Sequence, residues 1–395
     1  MSSNYGQKPP LRVDTAPPAS EKTPNAKLIA TPPTTPIASS SGTECGSVSP
    51  RFDAKITSHV AAARRRALFE TPPSPFGTCT EDIERGTRVR LGCGAWAEVV
   101  RGTLSSPFGK AIVAIKQPCY PGADKILRQE AGVLSYITNT APKDSIVRFL
   151  GFDAVHSTIV MEHVSGTTLA QFSRESRLRR ADRGGTTASR SEPVIGLHEW
   201  LDIAKQLADT FVHLKGIGVV HGDVTWHNVL MKETPTGSGV RLNPVVIDFS
   251  SGHLEVDGYS PAAVSATTTA FCSPELLEAH IRRPSTPPLG STDKPMEEDH
   301  GPISTFASDL YGLAMTLLSS AIGSEVYENA GRHGGIYARQ GQPLEWVRNG
   351  DSFLIVGVRS VVSKTLSGCF GRIAEKRIGV EELRDRIVQH SEGSM

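Results

Sequence analysis

The run His221-Gly222-Asp223-Val224-Thr225-Trp226-His227-Asn228 is followed downstream by Val246-Ile247-Asp248-Phe249-Ser250. Together they supply a carboxylate, a carboxamide five positions on, and a second carboxylate at the end of an apolar run. That order suits chemistry on a polyphosphate: Asp223 orients a hydroxyl nucleophile, while Asn228 and Asp248 hold Mg²⁺. Such chemistry is mostly positioning and charge neutralisation. A short match of this kind also arises by chance, and an Asp after an apolar run can simply close a strand. The reading therefore depends on what else the chain carries, and in what order.

Upstream, residues 89–99 read VRLGCGAWAEV. Gly92 and Gly94 admit backbone angles closed to other residues, so the turn can close over phosphates with its N–H groups inward. An ordinary hairpin can have the same pattern. Val113-Ala114-Ile115-Lys116 then reads as a buried strand ending in a lysine, which is costly unless paired. Residues 125–137 set Ile126, Leu127, Val133, Leu134 and Ile137 along one side of a helix, with Glu130 as the candidate partner. The plainer alternative is a surface pair worth under ~1 kcal/mol.

With these motifs in this order, residues 86–392 resemble the eukaryotic protein kinase family. The resemblance implies an α+β bilobal protein-kinase fold: a β-rich N-lobe with helix αC (about 86–164) and a mostly helical C-lobe (about 165–392). It implies ATP and Mg²⁺ as cofactors. Gly92, Cys93, Gly94, Ala97, Val99, Ala114, Lys116, Met161, Glu162 and Val164 would surround the nucleotide, Met161 as gatekeeper and the backbone of Glu162 and Val164 facing adenine. Lys116, Glu130, Asp223, Asn228 and Asp248 would be catalytic, with Asn228 and Asp248 on the metal. Phe271-Cys272-Ser273-Pro274-Glu275 is similar to the end of an activation segment. Asp309 would anchor the catalytic loop, and Arg377 would pair with Glu275.

Three residues depart from the family pattern. Gly222 stands where an arginine usually binds a phosphorylated activation loop, so that route to ordering is missing. Ser250 replaces a glycine, which implies a stiffer switch if the backbone there must be strained, at ~1–3 kcal/mol. Thr225 stands where serine/threonine kinases place a lysine. Conversely, Thr268 lies where such kinases keep a threonine bonded to the catalytic loop, with Thr267 and Thr269 as alternative registers.

The chain has 395 residues and a net charge of +1, so no strong nucleic-acid or membrane field is implied. No apolar run approaches the ~18 residues of a membrane span. The N-terminus lacks the apolar core of a signal peptide, and Ser2 stands where N-myristoylation needs glycine. The six cysteines form no CxxC pair, which argues against zinc and for reduced thiols in a cytoplasmic or nuclear setting. Oxidation or alkylation of Cys93, within the glycine-rich turn, would crowd the phosphates.

Residues 1–80 hold 12 of the 27 prolines and too few apolar residues to offset ordering entropy, and are expected to be disordered. Thr23, Thr31, Thr35, Ser49, Thr71 and Ser74 each precede proline, as acceptors for an upstream proline-directed kinase do. Arg64–Phe69 resembles a cyclin-docking peptide, and from Ser58 the same segment could instead form a helix on the N-lobe. Residues 173–196, 233–243 and 281–305 read as insertions of surface loop, which cost little in closure entropy.

Three functional readings follow. The first is Ser/Thr phosphorylation of protein substrates, since every catalytic group is present. The second is an atypical or small-molecule kinase, because HGD is the form such enzymes use; FCSPELL, Asp309 and Arg377 oppose it. The third is a pseudokinase scaffold, motivated only by Gly222, Thr225 and Ser250.

Overall fold

The computed structural model describes residues 72–182, 190–237, 239–255, 268–282, 303–328 and 330–393. The six-residue docking stretch at Arg64–Phe69, all the proline-directed sites except Ser74, and nearly all of the 281–305 insertion lie outside them.

The N-lobe is built on β1 (Thr78–Glu81), β2 (Ile83–Glu84), β3 (Thr87–Arg88), β4 (Arg90–Cys93), β5 (Ala97–Ser106), β6 (Gly109–Pro118), β7 (Phe149–Asp153) and β8 (Thr158–Glu162). Its main sheet runs β1-β5-β6-β8-β7, with β4 also paired to β5. β5 and β6 form the long central hairpin, in register from Ala97↔Pro118 to Ser106↔Gly109. Helix α1 (Asp124–Thr140) follows β6 and turns Ile126, Leu127, Glu130, Val133, Leu134 and Ile137 inward. The apolar members stabilise the lobe by roughly 1.5–3 kcal/mol for each fully buried large aliphatic side chain.

The expected boundaries at 80 and 86 are corrected here. Thr78–Glu81 is an edge strand of the sheet, in register from Thr78↔Ser105 to Glu81↔Gly102. Residues ahead of it also pack on the lobe: Phe152 donates its N–H to the Pro73 carbonyl at 2.8 Å. Residues 82–89 then leave the sheet edge as the β2–β3 hairpin, closed by Val89 N–H to Asp82 O at 3.0 Å. Arg101 clamps that excursion through Asp82 at 2.7 Å and Glu84 at 2.5 Å. A four-residue strand of small and polar side chains beside prolines has no local signature; its partner in β5 gives it its place.

The C-lobe begins with β9 (Gly166–Thr168) and α2 (Leu169–Asp182). Helix α2 overturns part of the loop expected over 173–196. It buries only Leu169, Ala170 and Ser173, and is supported along its exposed side by Gln171–Glu175 and Glu175–Arg179 contacts one turn apart. Next come α3 (Leu197–Gly216), β10 (Val219–Val220), β11 (Val229–Thr236), β12 (Gly239–Val246) and β13 (His253–Leu254). Residues 233–237 and 239–243 lie at the outer end of the β11–β12 hairpin.

The remaining helices are α4 (Pro274–Arg282), α5 (Phe306–Ile322), α6 (Gly331–Gln340), α7 (Pro343–Arg348), α8 (Val361–Leu366) and α9 (Val380–Glu392). Helix α5 is buried almost all round, as a central helix must be when its sequence is apolar on every face. A reciprocal Thr305–Ser308 capping box starts it and Gly323, at φ 69°, ends it. Trp200 ties α3 to it by donating Nε1–H to Leu317 O at 2.9 Å. No helix among the described residues is long and apolar enough to cross a membrane.

Candidate active site

Lys116 lies near the end of β6, opposite Val99 of β5 and Ile159 of β8. Its ammonium is 2.8 and 2.7 Å from the two carboxylate oxygens of Glu130 and 2.8 Å from Asp248 Oδ1. Burial works to strip the proton from Lys116, but the charges of Asp248 and Glu130 override it and raise the amine above its ordinary range. The same contact acts on Asp248: burial alone would raise the carboxyl, and Lys116 instead pulls it down to about 2. Glu130, with no exposed surface, is pushed by burial up to about 7 against the pull of Lys116. Phe249 adds a backbone N–H to Glu130 Oε1 at 3.2 Å. One cation thus joins the sheet, helix α1 and the segment carrying Asp248.

Asp248 has φ 64°, an uncommon conformation for a residue with a side chain, whereas Ser250 has no positive φ. The strain expected at Ser250 is therefore carried two residues earlier. Ser250 N–H instead bonds Asp248 Oδ1 at 3.3 Å and helps aim it.

The loop between β10 and β11, residues 221–228, is hung from α5. Asp309 accepts the backbone N–H groups of His221 at 2.7 Å and Gly222 at 2.9 Å. His221 is buried, and burial lowers its imidazole to about 4, so it is neutral at pH 7. Its ring bonds Ile247 O at 3.1 Å through Nε2 and takes the Asp223 N–H at 3.2 Å on Nδ1. Those contacts assign the proton to Nε2. Asp223 is then fixed from both sides. Asn228 donates Nδ2–H to its backbone O at 3.0 Å and to Oδ2 at 3.1 Å. Thr268 donates its N–H to Oδ1 at 2.7 Å and its hydroxyl to Oδ2 at 3.2 Å. Thr268 is thus the member of the threonine run that meets the loop carrying Asp223. Burial raises Asp223 to about 6, with the Thr268 N–H opposing.

Below the loop, Arg377 clasps Glu275 through two nitrogens, at 2.8 and 2.5 Å. The guanidinium also bonds Gly371 O and Ala307 O and lies 5.1 Å from the Tyr311 ring centroid. The segment ending at Glu275 is thereby fastened to α5 and the C-terminal part of the lobe.

Between the lobes lies a cleft of about 570 Å³, within the usual size for a small-molecule site. Gly92, Cys93, Gly94, Ala97, Val99, Ala114, Lys116, Glu130, Met161, Glu162, Val164, Asn228 and Asp248 all line it. Asp223 is the exception: it lines a separate small hollow with Gly222, Thr268 and Ser273. Leu91, Trp96, Val147, Leu230, Ile247 and His227 also form the cleft wall and were not anticipated as site residues. His227 bonds Glu325 at 3.3 Å; its place next to Asn228 was the available clue. Thr225 is buried, so it brings no replacement cation to the site.

The donor set fits a hard divalent ion. Asn228 spends its N–H₂ on Asp223, which leaves the carboxamide oxygen as its remaining acceptor. The Asp248 side chain is about one-third exposed at the cleft. Mg²⁺ is commonly held by one or two protein oxygens plus phosphate oxygens and waters.

Residues 87–281 match the model of the family described as protein tyrosine and serine/threonine kinase. The chain is 28% identical over 160 residues to the serine/threonine-protein kinase ISR1 of Saccharomyces cerevisiae, spanning 38% of this chain and 31% of that protein. It is also 28% identical over 199 residues to the protein sevenless of Drosophila melanogaster, spanning 47% of this chain and 7% of that protein. This chain thus spans less than a third of either relative. The family match over residues 87–281, the bilobal α+β fold and the order of the motifs agree on a protein kinase domain in this chain.

Proposed function

We propose that this protein transfers the γ-phosphoryl group of ATP, with Mg²⁺, to serine or threonine hydroxyls of protein substrates. The observation that carries the reading is the Lys116 ammonium bonded at once to Glu130 and Asp248 on the cleft wall. Lys116 is oriented by Glu130 to take phosphate oxygens, and the turn at Gly92–Gly94 offers backbone N–H groups above them. Asn228 and Asp248 would hold the metal, which would supply positive charge to the phosphates. Asp223 accepts the proton of the acceptor hydroxyl and aligns its oxygen; general-base help of this kind is worth ~10²–10⁴ in rate.

Two features favour a protein acceptor over a metabolite. The Glu275–Arg377 clasp and the Asp309 anchor hold a platform beside Asp223. The contact from Thr268 to Asp223 and the serine/threonine kinase named among the relatives favour Ser/Thr over tyrosine. The test is incubation of the full chain with MgATP and either mixed protein substrates or a metabolite panel, followed by identification of the phosphorylated residues. Phosphoserine and phosphothreonine on protein support the reading. Labelled metabolite with unlabelled protein, or phosphotyrosine alone, overturns it.

A further inference from the structure

The main N-lobe sheet has β1 at one end of its strand order and β7 at the other. Residues 73–78 join them. Pro73 O takes the Phe152 N–H of β7 at 2.8 Å, and Thr78 opens the pairing of β1 with β5. Four strand spacings measure about 19 Å along the sheet, whereas five residues reach no more than about 18 Å. The bridge therefore holds the sheet curled. Inside the curl is an apolar cluster separate from the main core: Val100, Val113, Ile115 and Val160 are buried, with Cys79 of β1 and Leu150 of β7 packed against them. The bridge fits closely at both ends. A β-carbon on Gly151 would stand 2.3 Å from Pro75 N, and one on Gly77 would stand 2.3 Å from Ser105 O. Between them Phe76 stacks on Phe108 of the β5–β6 turn, with ring centroids 5.7 Å apart.

We propose that residues 73–77 are a releasable bridge that positions Lys116 from behind. Seated, it fixes β6 where the Lys116 ammonium meets Glu130 and Asp248. Lifted, it frees β6 and weakens the hold on nucleotide phosphates. The effect on phosphates, though not the bridge itself, rests on the nucleotide reading above. The strand register gives the path of the coupling. Pro75 seats on Gly151, Gly151 is opposite Val160, and Val160 is opposite Ile115, the neighbour of Lys116. Side chains alternate along a strand, so Val113 and Ile115 face the cluster while Ala114 and Lys116 face the cleft. Release is easy because Pro73 and Pro75 have no N–H and cannot form the ladder of bonds that holds a strand. Among the described residues, the bridge's backbone hydrogen bond to β7 is the one from Phe152. Proline also presets the backbone, so little ordering entropy is lost on reseating. Lifting the bridge opens the cluster at the edge where Cys79 is half-buried.

The test pulses the native full chain with iodoacetamide, with and without MgATP, and maps the alkylated cysteines in wild type and in the double variant Pro73→Gly, Pro75→Gly. Cys79 reports the cluster, and buried Cys369 reports global unfolding. In the variant Cys79 should label at least tenfold faster while Cys369 stays protected. The MgATP concentration giving half of the full rise in melting temperature should increase at least fivefold. Coupling is reciprocal, so MgATP should in turn slow Cys79 labelling in wild type. Unchanged Cys79 labelling in the variant, or equal acceleration of Cys79 and Cys369, overturns the bridge. Faster Cys79 labelling with an unaltered MgATP response overturns its link to Lys116. If the variant does not fold, wild type decides: Cys79 labelling that MgATP leaves unchanged overturns the link. If wild type shows no MgATP response in melting temperature, the nucleotide reading fails, and Cys79 labelling in the variant alone decides the bridge.

Discussion

Gly222 lies so close to Ser251 that a β-carbon on it would stand 2.5 Å from the Ser251 carbonyl oxygen. Its φ of 80° is also one that side-chain-bearing residues rarely adopt. The glycine that replaces the family's arginine is therefore built into the path of the chain after Asp248. It is more than a lost phosphate ligand.

It follows that Gly222→Arg will not restore control by a phosphorylated loop. Both Gly222→Arg and Gly222→Ala are expected to lose roughly 1–3 kcal/mol of stability, the usual cost of such backbone strain. They should also slow turnover, because the flanking His221 and Asp223 position the loop. Urea unfolding and steady-state kinetics on the purified variants check this; an arginine variant as stable as wild type would contradict it.

Asp223, raised by burial to about 6, makes activity and stability move in opposite directions with pH. In its proposed role as base it must be ionised, so kcat/KM should fall as pH drops through 6. The unfolded carboxyl titrates near ~3.9. Between the two values the folded state holds the extra proton, so this group adds stability as pH falls across that window. Glu130 and Asp309, both raised to about 7 by burial, add to stability with the same sign. Thr268→Ala keeps the 2.7 Å backbone contact but removes a hydroxyl that lowers the Asp223 pKa. Its acid limb should move upward, and pH–rate profiles of both proteins decide the point.

The Arg377 side chain is almost fully buried and Glu275 is the charge that meets it. Glu275→Gln leaves that guanidinium without its counter-charge, and removing one partner of a buried pair costs about 3–5 kcal/mol. A clear drop in melting temperature is expected. Arg377→Met, which keeps apolar volume over Tyr311 and removes the orphaned charge, should be less destabilising than Glu275→Gln. The reverse order in a thermal unfolding series would refute the role given to the pair.

Much of the site could be read from the sequence, because each motif carries its chemistry in a few adjacent residues. Lys116, Glu130 and Asp248 come together as their order along the chain implied, and all ten residues expected to surround the nucleotide line the cleft. What escaped the reading is what depends on distant partners. Thr78–Glu81 is a strand only because β5 offers it an edge. Arginine and serine made 173–182 look like loop, but an exposed helix needs few apolar residues when neighbours one turn apart pair and one face docks Leu169 and Ala170. The positive φ of Asp248 and the room that only glycine leaves beside Ser251 are consequences of tertiary packing, which spacing along the chain does not record.

The most direct test compares wild type with Asp223→Asn in two assays run together: thermal shift with MgATP, and phosphate transfer to protein. Both proteins should gain melting temperature with MgATP, since Asp223 lies outside the cleft wall, and only wild type should transfer phosphate at an appreciable rate. Equal transfer by the two proteins, or no MgATP response in wild type, would contradict the assignment of these side chains to one phosphoryl-transfer site.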